Sequence, residues 1–296
     1  MVWWIAHVSV LEQMKLVRFE SESGKADGVI KDGGIVSLGA AGLPRLDMMQ
    51  IIAGGPAVLD ALRDAVRQTE PDHRLDGVKL LAPLRPGKYL AIGMNFKKHV
   101  EEAAKLGVSE PAKQFWFNKQ TTCIAGPYDA IDPGVTERLD YEVELGVVIG
   151  TPAKRVSEQE ASRHIFGYVV ANDVSARDWQ FHSPTFTVGK SFDTHGPIGP
   201  WIVTSDEIPD PQALDLRCYV NGEIRQSSNT REMIHTIYSQ ISYLSTAFTL
   251  ESGDLLATGT PEGVGIGMTP PTFLKAGDIV RCVIDGIGAI ENVVKG

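Results

Sequence analysis

The stretch Leu139-Asp140-Tyr141-Glu142-Val143-Glu144-Leu145-Gly146-Val147-Val148-Ile149-Gly150 constrains this chain more than any other. Its second half is continuously apolar and β-branched, which reads as a strand buried on both faces. Its entrance carries Glu142 and Glu144. Residues two apart in a strand share a face and sit about 6–7 Å from each other. Two carboxylates so placed beside apolar chain repel each other and lose hydration. A bound cation removes both penalties; the alternative is a strand face left to solvent. Asp173 closes the apolar run Gly167-Tyr168-Val169-Val170-Ala171-Asn172 and is a third candidate ligand. Asn172-Asp173 also suits a turn, and Ser175 with Asp178 is spaced like a capping box. Oxygen donors without nearby Cys or His point to Mg²⁺, Mn²⁺ or Ca²⁺ (the last as a crystal substitute) and away from zinc.

The 296 residues are 43% hydrophobic and 22% charged, which suits a soluble globular protein of one large or two smaller domains. A formal net charge of -9 argues against a nucleic-acid partner. No apolar run is long enough to span a bilayer, so no membrane partner is expected. Cys123, Cys218 and Cys282 are scattered, as expected for reduced thiols in a cytoplasmic protein. The apolar first residues, Met1 to Val8, lack a basic region and a cleavage site, against a signal peptide. Met14 opens the strand-like run Lys15 to Phe19, so residues 1–13 read as an extension from an upstream start codon or as an ordinary strand.

Strands are expected at Leu16 to Phe19, Gly28 to Lys31 and Gly34 to Leu38. A helix from about Asp47 to Ala53 should stop at Gly54-Gly55, and Pro56 should open another. Pro83, Pro86 and Gly87 mark a boundary, giving a small N-terminal α+β domain over 14–82 and a main domain over 83–296. There, strands are expected at Tyr89 to Ile92, Val143 to Ile149, Tyr168 to Ala171, Trp201 to Thr204, Leu216 to Val220, Asp254 to Ala257 and Ile279 to Ile284. One helix, Met233 to Phe248, should bury Ile234, Ile237, Ile241, Leu244 and Phe248. Strands and helices do not alternate strictly, which disfavours a doubly wound fold.

Three further segments could carry chemistry. In Gly93 to Gly107, Asn95 is a suitable N-cap and Gly107 a suitable C′ residue. His99 and Glu102 share a helix face there, so the carboxylate could orient the imidazole as a general base, or the two could form a routine ion pair. Gly189 to Asp193 and Thr258 to Gly265 are glycine-bearing loops. Their backbone N–H groups could meet an anionic ligand, or they are hairpin turns.

Taken together, and in this order, several segments resemble the fumarylacetoacetate hydrolase family. They are Gly93-Met94-Asn95-Phe96 with His99 and Glu102; Gly126-Pro127; Leu139 to Leu145; Gly167-Tyr168 with Asn172 to Gln180; Gly189 to Asp193; Asn221-Gly222-Glu223 with Gln226; and Gly253-Asp254 with Thr258 to Gly265. The resemblance covers nearly all of the chain from Met14. It implies an α+β fold: a mixed β-sheet roll as catalytic domain, a small N-terminal domain and a homodimer. It implies Mg²⁺ or Mn²⁺ at Glu142, Glu144 and Asp173, a His99–Glu102 dyad on a segment that often closes as a lid, and a pocket with Lys190, Gln180, Arg177 and Thr260. The activity implied is hydrolysis of acylpyruvate-type oxo-acids in aromatic or sugar-acid catabolism. Oxaloacetate decarboxylation, 2-hydroxy-dienoate isomerisation and ureidoglycolate lysis are alternatives at the same site. A binder without turnover is a rival of another class. Gln120 departs from the Phe-x-Lys-Pro pattern of many members at Phe117-Asn118-Lys119-Gln120.

Overall fold

The computed structural model describes residues 13–296, so all but Gln13 of the expected N-terminal extension lies outside the described residues. The backbone is a mixed-sheet α+β fold. Ten strands lie side by side in the order His73–Arg74, Gly34–Ser37, Gly24–Lys31, Lys15–Ser21, Gly196–Thr204, Ile165–Asn172, Val143–Ile149, Leu255–Ala257, Tyr89–Gly93 and Phe115–Lys119. Neighbours are antiparallel except Leu255–Ala257 with Tyr89–Gly93, which run parallel. This path has two ends and is not a closed barrel. A second sheet orders Glu223–Asn229, Asp215–Val220, Ile279–Ile284 and Gly288–Val293.

The Val143–Ile149 strand is buried throughout. Val143, Leu145, Val147 and Ile149 pack with Leu216, Cys218, Val280 and Cys282 of the second sheet. Val148, facing the other way, packs with Ile51, Ile52 and Leu62 of the N-terminal helix. By the two-residue period of a strand, Glu142 and Glu144 share the face of Val148. The two apolar layers therefore enclose the strand whose entrance bears the carboxylates.

The N-terminal strands are each within two residues of expectation at their starts, apart from Gly24–Lys31, which begins four residues earlier. Lys15–Ser21 also pairs with the main sheet, Leu16 opposite Ile202. The helix Met48–Arg67 opens with a reciprocal cap between Asp47 and Gln50 and kinks at Gly55, where φ is 65°. The expected break is there, as a kink within one helical run. All three cysteines are buried and none is in a disulfide. Among the described residues no helix is long and apolar enough to cross a membrane.

The expected helix Met233 to Phe248 is shorter, Ile237–Ala247. Thr236 caps it by accepting from the Ser239 N–H. The preceding residues are tied to Asn95 instead: the Ile234 N–H donates to its carbonyl and the His235 N–H to its Oδ1. Phe248 is extended and 36% exposed, so it does not belong to the buried face. Ile237, Ile241 and Leu244 do. Ile241→Ala should cost about 2–5 kcal/mol, the usual range for deleting a fully buried branched side chain. Equilibrium denaturation should show it as a lower midpoint at unchanged slope.

Candidate active site and metal centre

The sheet register brings the acidic residues together. Val143 pairs with Asn172 across the antiparallel strands, so Glu142 and Asp173 are the next opposed positions. The Asp173 N–H donates to the Glu142 carbonyl at 2.9 Å. Glu144 follows two residues later on the same face. Carboxylate oxygens of Glu142, Glu144 and Asp173 lie within 4.8 Å of one another, and all three residues are buried. The expected capping box after Asp173 is not formed. The Ser175 hydroxyl donates to the Asp173 carbonyl, and the Asp178 carboxylate accepts from the Thr136 hydroxyl and the Glu137 N–H.

Buried cations surround this group. The Lys190 ammonium lies 2.7 Å from both Glu142 Oε2 and Asp173 Oδ2. Lys119 Nζ reaches the other Asp173 oxygen at 2.5 Å. Arg177 Nε donates to Asp140 Oδ2 at 2.8 Å, and its Nη2 stands 2.7 Å from Glu142 Oε1. Asp140, Glu142, Glu144 and Asp173 thus face Lys119, Lys190 and Arg177. Four carboxylates meet three cations, and Glu144 is the one left over. Among the described residues it forms no ion pair; Oε2 accepts the Gly259 N–H at 2.8 Å. Burial raises the Glu144 carboxyl well above the usual range, and Asp173 and Glu142 push it further. Burial also acts to raise Glu142, but Lys190 and Arg177 outweigh it and hold that group at about 2. Two like charges about 4 Å apart repel by roughly 4 kcal/mol at an effective dielectric near 20. An oxygen-only donor set with one uncompensated carboxylate fits a hard divalent cation.

The Thr258 to Gly265 loop supplies backbone donors, but their acceptors are the protein's own carboxylates and no outside anion is needed. The Gly259 N–H serves Glu144, and the Gly263 N–H donates to Glu102 Oε1 at 3.0 Å. The N–H groups of Gly265 and Ile266 hold the two oxygens of Asp140. Gly263 has φ of +97°, and a Cβ there would come within 2.0 Å of the Arg225 carbonyl. Only glycine suits that position.

Glu102 Oε2 in turn lies 3.0 Å from His99 Nδ1. Both residues are on the helix Lys97–Lys105, whose C-terminus is followed by Gly107 at φ +81°. Asn95 is not its N-cap; that position is Phe96, with no side-chain cap. The Asn95 amide is buried and donates to the Thr258 and His235 carbonyls, joining the dyad segment to the glycine loop. His99, Glu102, Glu142, Glu144, Arg177, Gln180, Lys190 and Thr260 line one cavity of about 420 Å³. Gln180 Oε1 accepts from Arg177 Nη1. The Thr260 hydroxyl donates to the Val143 carbonyl and accepts from Gln226, so it fastens the loop to the strand. Gln120 is exposed and outside this cavity; its N–H, which proline would lack, donates to Ser191 Oγ.

Residues 88–295 match the fumarylacetoacetate (FAA) hydrolase C-terminal family. The chain belongs to the fumarylacetoacetate hydrolase family. It is 41% identical over 291 residues to the mitochondrial oxaloacetate tautomerase fahd2 of Xenopus laevis, covering 95% of this chain and 90% of that one. Among solved structures it is similar to a fumarylacetoacetate hydrolase from Exiguobacterium antarcticum, with a TM-score of 0.79, 36% identity and coverage of 96% and 99%. It is also similar to the maleylpyruvate hydrolase of Sphingobium sp. SYK-6 in complex with manganese(II) and pyruvate, with a TM-score of 0.79, 30% identity and coverage of 95% and 99%.

Within this family fold, the structure adds residues that sequence reasoning left without a role. Lys119 closes an aromatic strand; it stood in the Phe-x-Lys pattern of the resemblance, which assigned it no role. Asp140 precedes the acidic pair by two residues and anchors Arg177. Gln226 holds both Val143 and Thr260; it stood among the family-like segments, but without an assigned role. Lys119→Met should destabilise the metal-free protein by about 3–5 kcal/mol, the range for stranding one partner of a buried pair. Mg²⁺ or Mn²⁺ should raise the melting temperature of both proteins, more in the variant, whose site is one charge more negative, and EDTA should reverse both shifts. Differential scanning calorimetry measures each.

Proposed function

We propose that this protein is a divalent-metal-dependent hydrolase that cleaves the C–C bond of acylpyruvate-type 2,4-dioxo acids. The observation that carries the reading is that the His99–Glu102 pair lines the same cavity as Glu142 and Glu144. Glu142, Glu144 and Asp173 would hold Mg²⁺ or Mn²⁺; their clustering supports the placement, and the manganese of the Sphingobium relative supports a divalent cation. A bound ion would supply Lewis-acid polarisation at the oxo-acid end of the substrate.

The side chains then divide the work. Glu102, fixed by the Gly263 N–H, holds His99 Nδ1, which leaves Nε2 to take a proton from water. The water oxygen attacks the distal carbonyl carbon. The bond to the methylene carbon breaks, and its electron pair passes to the pyruvate half as an enolate. Lys190 places positive charge beside that developing anion. The His99 imidazolium returns its proton to the methylene carbon, giving pyruvate and a carboxylic acid. Arg177 holds Gln180 by its amide oxygen, which leaves the Gln180 amide nitrogen to orient the substrate. The partners are an oxo-acid and a second copy of this chain.

His99→Ala should lower hydrolysis by about two to four orders of magnitude, and Glu102→Gln by an intermediate factor. Loss of the ultraviolet absorbance of acetylpyruvate follows both. Lys190→Met should lower kcat far more than it weakens metal binding. The tautomerase relative favours a second reading, in which the same dyad moves a proton between carbon and oxygen without adding water. Incorporation of ¹⁸O from solvent into the released acid separates them: hydrolysis requires it, tautomerisation excludes it. Oxaloacetate decarboxylation, which needs no activated water, should survive His99→Ala better than hydrolysis does.

A further inference from the structure

The cavity has a second wall that the proposed chemistry does not use. Phe117 lies beside Lys190, whose ammonium is 5.1 Å from its ring centroid. From there aromatic rings continue outward: Phe186 is 6.1 Å from Phe117, and Phe115 and Phe181 are 5.1 and 5.4 Å from Phe186. Phe186 is the hub. Its φ is 59°, a conformation that a bulky residue rarely adopts, and its carbonyl accepts the Lys190 N–H. Phe181, at the outer end, is 60% exposed. Leu106 also lines the cavity and is half exposed.

Charge is absent from this wall. Arg177 and Lys190 are the lysine and arginine side chains lining the cavity among the described residues, and both are committed to buried carboxylates. A carboxylate at the far end of a substrate would meet ring faces, which carry partial negative charge, and the Glu102 side of the cavity. It would lose hydration with no free lysine or arginine to replace it. An apolar group would instead cover apolar surface.

Resting on the oxo-acid reading above, we infer that the substrate's distal group is apolar, of aryl or branched-alkyl type, that it lies along Phe117, Phe186, Phe115 and Phe181, and that Phe186 sets this specificity. The test uses non-cleavable 2-oxo acids and the full chain with saturating Mg²⁺, by titration calorimetry. 2-Oxo-4-phenylbutanoate should bind at least about tenfold more tightly than 2-oxopentanedioate, with pyruvate weaker than the phenyl ligand. Phe186→Ala should lose most of that preference, by weakening the phenyl ligand more than pyruvate. Phe181→Arg, at an exposed position that folding tolerates, should narrow the gap by improving the diacid. Equal or tighter binding of the diacid by the wild type overturns the inference, as does a phenyl preference unchanged in both variants or no binding of the phenyl ligand. Turnover is scored separately with 2,4-dioxo-4-phenylbutanoate. Phenyl preference in binding without its cleavage would remove the hydrolase reading and leave the tail specificity standing.

Discussion

The site depends on one alignment, Val143 opposite Asn172 between two antiparallel strands. A shift of one residue would turn Glu142 and Glu144 into the opposite apolar layer, where no cation waits. The alignment is held by burial on both faces, by the Asp173 to Glu142 backbone hydrogen bond, and by side chains clamped onto the strand ends. Asn172 Oδ1 accepts the Glu142 N–H, and Gln226 Oε1 accepts the Val143 N–H. These two amides continue the backbone pairing where the strand would otherwise fray beside its charged entrance.

Around that alignment the cations act as a rigid frame. Lys119 and Lys190 take one Asp173 oxygen each, and Lys190 and Arg177 take one Glu142 oxygen each. Two of the three carboxylates are thus oriented by the protein before any ligand arrives, which lowers the reorganisation a ligand must drive. Glu144 is held by a single backbone N–H and retains the greatest freedom to respond.

Much of this was legible in the sequence, for identifiable reasons. A strand as apolar as Val143–Ile149 has one stable environment, and its start and end match expectation residue for residue. The acidic pair and Asp173 were legible because charge beside such a run needs an explanation. The dyad was legible because a spacing of three fixes neighbours on a helix. What failed concerned competition for the same group. Asn95 has the chemistry of a cap, but two distant carbonyls claim its amide. Ser175 and Asp178 have capping-box spacing, but other partners are nearer. Met233 continues an apolar stripe, but pairing with Phe96 keeps it extended. Lys119 and Gln226 stood in family-like segments, but their partners are distant in sequence, so local reading gave them no role.

The glycine loop has a consequence for how such a site can diverge. Its amides grip Glu144, Glu102 and Asp140, so a proposed metal ligand, the carboxylate proposed to orient His99 and the anchor of Arg177 share one short piece of backbone. A change there disturbs three functions together, and variation in that wall is correspondingly expensive. The aromatic wall is less shared: the rings of Phe115, Phe181 and Phe186 contact one another and Phe117, and none of their side chains holds a carboxylate of the site. On the proposed reading, the cavity has a half that inheritance must keep and a half that it can rewrite, so exchanging a few rings would fit the same centre to new substrates.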